Sequence, residues 1–155
     1  MSNLYQRTLS LAGIDISSLS VDDLRTLVRK ILEARIHGIS FSPYVEGQGP
    51  GTLISEAQIR ERLAFIQPYV KWVRSFSCKE GNEKIPAIAA ESRLKNMVGV
   101  WLDDDREQNE VEIANAIEIA KAGHADILAV GNEVLLRGDI SEAHDQPRPE
   151  VIEPD

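Results

Sequence analysis

The tightest constraint on this chain is a repeated unit. A capped or acid-led segment is followed by a short apolar run, and the pair recurs at roughly 25–35 residues, a usual βαβ spacing. The first unit opens at Ser20, with Asp23 three residues on as a capping-box variant. Leu19 and Leu24 are placed to form a hydrophobic staple across that cap. Leu24, Leu27, Val28, Ile31 and Leu32 follow the spacing of one buried face, which predicts a helix over residues 21–35. Gly38 then releases the chain into strand one, residues 39–41. In the next unit Ser55 pairs with Gln58 as a capping box, and Ile54 with Ile59 as a staple. Ile59, Leu63 and Ile66 form the predicted buried face, and Pro68 lies just past the helix end. Strand two is expected at 70–76, a shorter helix at 82–93 with Pro86 in its first turn, and strand three at 97–102. Asp103, Asp104 and Asp105 supply an N-cap and negative charge at the positive end of another helix. That helix is predicted to bury Ile113, Ile117 and Ala120 and to stop at Gly123. Strand four is expected at 126–130.

The chain therefore reads as a helix, three βα units and a fourth strand. Alternation of this kind argues for a parallel sheet in an α/β fold. Residues 1–37 form an N-terminal segment and helix, residues 38–140 the βα domain, and residues 141–155 a tail. The tail holds Pro147, Pro149 and Pro154, several acids and no apolar period, so disorder is expected there. Four parallel strands fit two architectures. One is a small doubly wound sheet acting as a binding domain, which length alone favours. The other is the first half of a (β/α)8 TIM barrel, which whole needs about 250 residues.

Composition excludes several classes of function. Of the 155 residues 43% are apolar, and the net charge is −8. An acidic chain repels phosphate backbones, so nucleic acid is not an expected partner. No basic amphipathic helix or long apolar span points to a membrane, and residues 1–13 lack the pattern of a signal peptide. Cys78 is the single cysteine, which excludes an internal disulfide and favours a reducing, cytoplasmic setting. With no CxxC partner and no nearby His, it is not expected to be a catalytic thiol. His37 and His124 each precede a strand and read as solvated turn residues. Residues 47–51 are glycine-rich but lack the Lys-Ser/Thr of a phosphate-binding loop, so they read as a flexible loop over a cleft. The three adjacent aspartates read as solvated caps rather than ligands. No metal and no cofactor is expected.

Function in parallel α/β folds gathers at the carboxyl ends of the strands. Here those ends carry Tyr44, Arg74, Phe76, Trp101, Asp103, Asn132 and Glu133. Aromatic rings stack on pyranose faces, and amides and charged groups hydrogen-bond sugar hydroxyls. The sharpest element is Val130-Gly131-Asn132-Glu133, an apolar strand running into an Asn-Glu pair. Burial against apolar walls would raise the Glu133 carboxyl pKa and let it donate a proton near neutral pH. Asn132 and Glu133 equally fit a plain cap on the element after strand four, and spacing does not choose between these readings.

Val130-Gly131-Asn132-Glu133 resembles the strand-four motif of glycoside hydrolase family 17, the β-1,3-glucanase family. Gly38-Ile39-Ser40-Phe41-Ser42-Pro43-Tyr44 resembles its strand one. Val73-Arg74-Ser75-Phe76 and Val98-Gly99-Val100-Trp101-Leu102 resemble strands two and three of bacterial members. The resemblance spans about residues 38–138. It implies a retaining glycosidase or glucan transglycosylase on a (β/α)8 barrel, with β-glucan or an oligosaccharide as partner. Glu133 matches the general acid/base and Asn132 the sugar-contacting residue beside it. Tyr44, Arg74, Phe76 and Trp101 match cleft positions, and Asp103 does so more weakly, being a helix cap. The family's nucleophile is a second glutamate after strand seven, which has no counterpart here. The alternative is a non-catalytic fragment or sugar-binding remnant. Either way, open sheet edges would favour self-association.

Overall fold

A computed structural model describes residues 15–137. The tail at 141–155 lies outside the described residues. Helices begin where a short polar side chain replaces a missing backbone partner. Ser20 Oγ accepts from Asp23 N at 3.2 Å and opens α1 (Val21–Glu33). Its hydroxyl donates in turn to the Asp23 carboxylate at 2.6 Å. Ser55 Oγ accepts from Gln58 N at 3.2 Å and opens α2 (Glu56–Ile66). The box is incomplete there, because the Gln58 amide turns away to donate to Pro43 O at 2.9 Å and so ties down the preceding loop. A 3-10 turn at Asn82–Lys84 leads into α3 (Ile85–Glu91), with Pro86 in the first turn as expected. Asp105 caps α4 (Arg106–Lys121), accepting from Gln108 N at 3.1 Å. A short α5 (Val134–Arg137) comes after the last strand.

The strands are β1 (Ile36–Ser40), β2 (Val70–Arg74), β3 (Lys95–Val100) and β4 (Ile127–Val130). They form one sheet in the order β1-β2-β3-β4, every pair parallel. Among the described residues no neighbouring pair reverses the order, so the described sheet has no switch point of the doubly wound kind. The fold is α/β, consistent with the first half of a TIM barrel. β1 starts earlier than expected. Arg35, not Gly38, turns the chain out of α1, with φ 57° in the left-handed region. The Arg35 guanidinium donates to Gln67 O at 3.2 Å and to Val70 O, which holds that turn against the start of β2. Gly38 lies inside β1 opposite Trp72. A Cβ at Gly38 would meet the Trp72 Cβ at 2.7 Å, so glycine is required for strand approach. His37, expected in a turn, is in β1 and stacks on Trp72 at 5.9 Å between ring centroids.

The buried apolar residues fall into two clusters. The larger joins Phe41, Ile54, Ile59, Leu63, Val70, Val73, Ile85, Ile88, Ala89 and Leu94. The smaller joins Cys78, Val98, Val100, Ala116 and Ile119. The second staple is real, since Ile54 and Ile59 are both buried in the larger cluster. Two helix faces depart from expectation. No residue of α1 is buried, and Val28 is 53% exposed. On α4 the predicted face of Ile113, Ile117 and Ala120 is exposed, and the stripe one residue earlier, Glu112, Ala116 and Ile119, is buried. Among the described residues no helix is long and apolar enough to cross a membrane.

Candidate active site

Two close approaches shape the carboxyl end of the sheet. At Gly99 a Cβ would lie 2.4 Å from Ser75 O, so only glycine lets the chain leaving β2 press against β3. Gly99 N donates to Ser75 Oγ at 3.4 Å. At Gly81, with φ +90°, a Cβ would lie 2.1 Å from Ile54 O. That approach joins the loop after β2 to the loop after β1, where Ile54 N donates to Glu80 O at 2.9 Å and Gly51 N to the Glu80 carboxylate at 2.8 Å. The glycine-rich loop expected to be flexible is thus anchored. It is also braced internally, by Val45 N on Gln48 Oε1 at 3.1 Å and Gly49 N on Thr52 Oγ1 at 3.2 Å.

These loops enclose a cavity of about 550 Å³. Tyr44, Phe76, Trp101 and Asp103 all line it, together with Phe41, Ser42, Pro50, Gly51, Ser77, Lys79, Glu80 and Asn82. Aromatic rings from the ends of three strands therefore meet in one space, edged by hydroxyl, amide and charged groups. Such a lining suits a sugar ring better than a wholly apolar ligand. Asp103 does not cap α4 itself. Its carboxylate accepts from Asp105 N at 2.9 Å, and its backbone exchanges two hydrogen bonds with the Asn109 amide, at 2.9 and 2.7 Å. Cap and cavity wall are thus separate duties of Asp105 and Asp103.

Arg74 and Asn132 lie next to this cavity rather than in its wall. Arg74 Nη2 donates to Asn132 Oδ1 at 2.7 Å, and its guanidinium carbon sits 5.0 Å from the Phe76 ring centroid. Phe76 is thereby shared between the aromatic cavity and the polar pair. The Arg–Asn bond spans from the end of β2 to the end of β4, across β3. Gly131 makes the turn out of β4 with φ +79°, and its N donates to Val100 O at 3.0 Å. Glu133 comes two residues later with φ 57°, a left-handed conformation that a non-glycine residue adopts at a cost. The expectation that apolar walls bury Glu133 is corrected: its side chain is exposed.

Several polar residues of this region escaped the sequence reading, Lys79, Glu80 and Asn82 in the cavity wall and Glu112 on α4. Glu112 on α4 is 1% exposed and accepts from Ser77 Oγ, from Cys78 N at 2.7 Å and from Trp101 N at 3.2 Å. Burial pushes its carboxyl pKa up, against the lowering effect of those hydrogen bonds. The clue was its place four residues before Ala116 and seven before Ile119. The Cys78 thiol is buried and pushed up to about 12, by burial first and then by Glu112 and Glu83, so it is a poor nucleophile. Among the described residues no group of three or more His, Cys, Asp or Glu is placed to hold a metal ion.

A parallel α/β sheet with an aromatic and polar cleft at its carboxyl end has the build of a glycoside hydrolase domain. Comparison with protein-family models makes the assignment: residues 38–146 match the BtgE/BtgC glycoside hydrolase domain. The chain belongs to that family. No curated protein and no solved structure matches it.

Proposed function

We propose that this chain carries the proton donor and part of the sugar cleft of a retaining glycosidase or transglycosylase acting on β-1,3-glucan. The observation that carries the reading is the Arg74–Asn132 hydrogen bond with Phe76 beneath it. It fixes the amide next to Glu133 against the aromatic cavity. Asn132 then contacts a sugar hydroxyl, while Tyr44, Phe76 and Trp101 take ring faces and Asp103 hydroxyls. Glu133 donates its proton to the leaving glycosidic oxygen and later takes one back from the attacking group. Water as that group gives hydrolysis, and a sugar hydroxyl gives transfer.

Calorimetric titration with laminarin oligosaccharides tests the reading. Binding is expected, and Trp101→Ala is expected to weaken it about two- to twelvefold, one aromatic contact being worth about 0.5–1.5 kcal/mol. Absence of binding to β-1,3-linked oligosaccharides, with the fold intact, would sink the substrate assignment. Tested alone, the 155-residue polypeptide is expected to release no reducing sugar from laminarin. Retaining cleavage uses a second carboxyl about 5–5.5 Å from the first, and the resemblance puts that nucleophile after a seventh strand. Robust turnover abolished by Glu133→Gln would show that a second carboxylate is supplied here or by another copy. The exposure of Glu133 favours a second reading, sugar binding without catalysis. Under that reading no reaction condition or added partner makes turnover depend on Glu133.

A further inference from the structure

A carboxylate does not belong by default on the inner face of α4. Ala116 and Ile119, its neighbours on that stripe, pack into an apolar cluster, and an apolar side chain at 112 would avoid the cost of taking a charge out of water. What Glu112 holds explains its presence. One oxygen accepts from Ser77 Oγ, and the other accepts from both Cys78 N and Trp101 N. Those donors belong to two different loops, one leaving β2 and one leaving β3. Ser77 and Trp101 both line the cavity. The neighbouring contacts reinforce the same junction: Asn115 Nδ2 donates to Cys78 O at 2.7 Å, and Cys78 Sγ to Gly99 O at 3.3 Å.

We propose that Glu112 is a positioning residue for the sugar cleft, setting the spacing between the Ser77–Cys78 turn and the Trp101 backbone. Its role in ligand affinity rests on the proposed sugar-binding function, while its hold on the two loops stands on geometry alone. The role is one of acceptor placement rather than charge. A glutamine can turn its carbonyl oxygen toward the two backbone N–H groups and its amide toward Ser77 Oγ, which is able to accept. A methionine of similar length offers no comparable acceptor and removes the oxygen that the two N–H groups share.

The test measures amide hydrogen exchange by NMR and laminarin-oligosaccharide affinity for the full chain, Glu112→Gln and Glu112→Met. Glu112→Gln is expected to keep protection at Cys78 and Trp101 and an affinity within about threefold of the parent. Glu112→Met is expected to lose about tenfold or more in both, with protection in the Ile59–Leu63 cluster retained. Unchanged protection in Glu112→Met, or an equal loss in Glu112→Gln, would overturn the proposal. A second measurement needs no destabilised variant. In the parent chain the Cys78 and Trp101 amide shifts are expected to titrate together, with one shared midpoint above the ordinary glutamate value of about 4.3. Lys79 and Glu83 are the other charged groups acting at this junction, and Glu112→Gln removes the joint titration if Glu112 is its source. Separate midpoints, or a titration that survives Glu112→Gln, would also overturn it. If the parent chain binds no oligosaccharide, the proposed function fails, and the exchange and titration results still decide the positioning role.

Discussion

Glu133 sits on backbone that glycine would occupy more cheaply. A left-handed non-glycine residue costs about 1–2 kcal/mol, partly offset in a glycine variant by the larger entropy of its unfolded chain. Glu133→Gly is therefore expected to raise stability by about 0.5–1 kcal/mol in urea unfolding. A gain of that size would show that stability is given up at 133 for the sake of the side chain. A loss of stability would mean that the Glu133 side chain makes contacts that outweigh the strain. Glu112 makes a different prediction, through pH. Its folded pKa is raised, by burial first, so the folded state favours the neutral form. Its contribution is fully present below the ordinary carboxyl pKa and is lost as pH rises through the raised one. Relative to Glu112→Gln, the parent chain should therefore gain stability as pH falls from neutral into the acid range. Unfolding curves at several pH values check the sign, and a parent that loses ground in acid contradicts it. The strand-end residues were legible because position at a carboxyl end is readable once the strands are placed. Glu112 was not, because its partners lie 34 or 35 residues back along the chain and 11 residues back at Trp101.

At the scale of elements, what was local was readable. Ser20, Ser55 and Asp105 cap helices through groups three residues away, so the sequence window contains the whole interaction. Burial faces were harder, because they are chosen by a neighbour. α4 carries two stripes, and the one richer in isoleucine was the natural choice from periodicity. The sheet takes the other, with small Ala116 in the cluster beside Val98 and Val100 and a hydrogen-bonded carboxylate at its end. α1 shows the opposite error, a well-formed apolar face with only partial cover. The energetic consequence is measurable. Leu63→Ala, in the larger cluster, is expected to cost about 2–5 kcal/mol. Val28→Ala on α1 should stay within about 0.5 kcal/mol. A large loss at Val28 would show that its face is covered in solution.

For the whole molecule, the parallel sheet was the most legible property, since consecutive βα units with right-handed connections leave few topologies, whereas the strand order stood open between two of them and was favoured only by the family resemblance. The edges derive from that order. β1 and β4 bound the sheet among the described residues, and β4 is apolar with Ile127, Leu128 and Val130 exposed, the last at 63%. Edges of this kind template further pairing. Sedimentation velocity is expected to show concentration-dependent association, reduced by Val130→Lys. A monomer at all concentrations would mean that the edge is protected. The cleft carries a further consequence, for descent rather than stability. In parallel α/β proteins the carboxyl-end loops are commonly free to diverge one at a time over a constant scaffold. Here each is fastened to another: the first to the second through Glu80 and Gly81, the second to the third through Glu112, and the second to the fourth through Arg74 and Asn132. An insertion in one loop therefore disturbs a neighbour's anchor, and a new specificity in this lineage would have to arise by coordinated substitutions across several loops rather than by exchanging a single one.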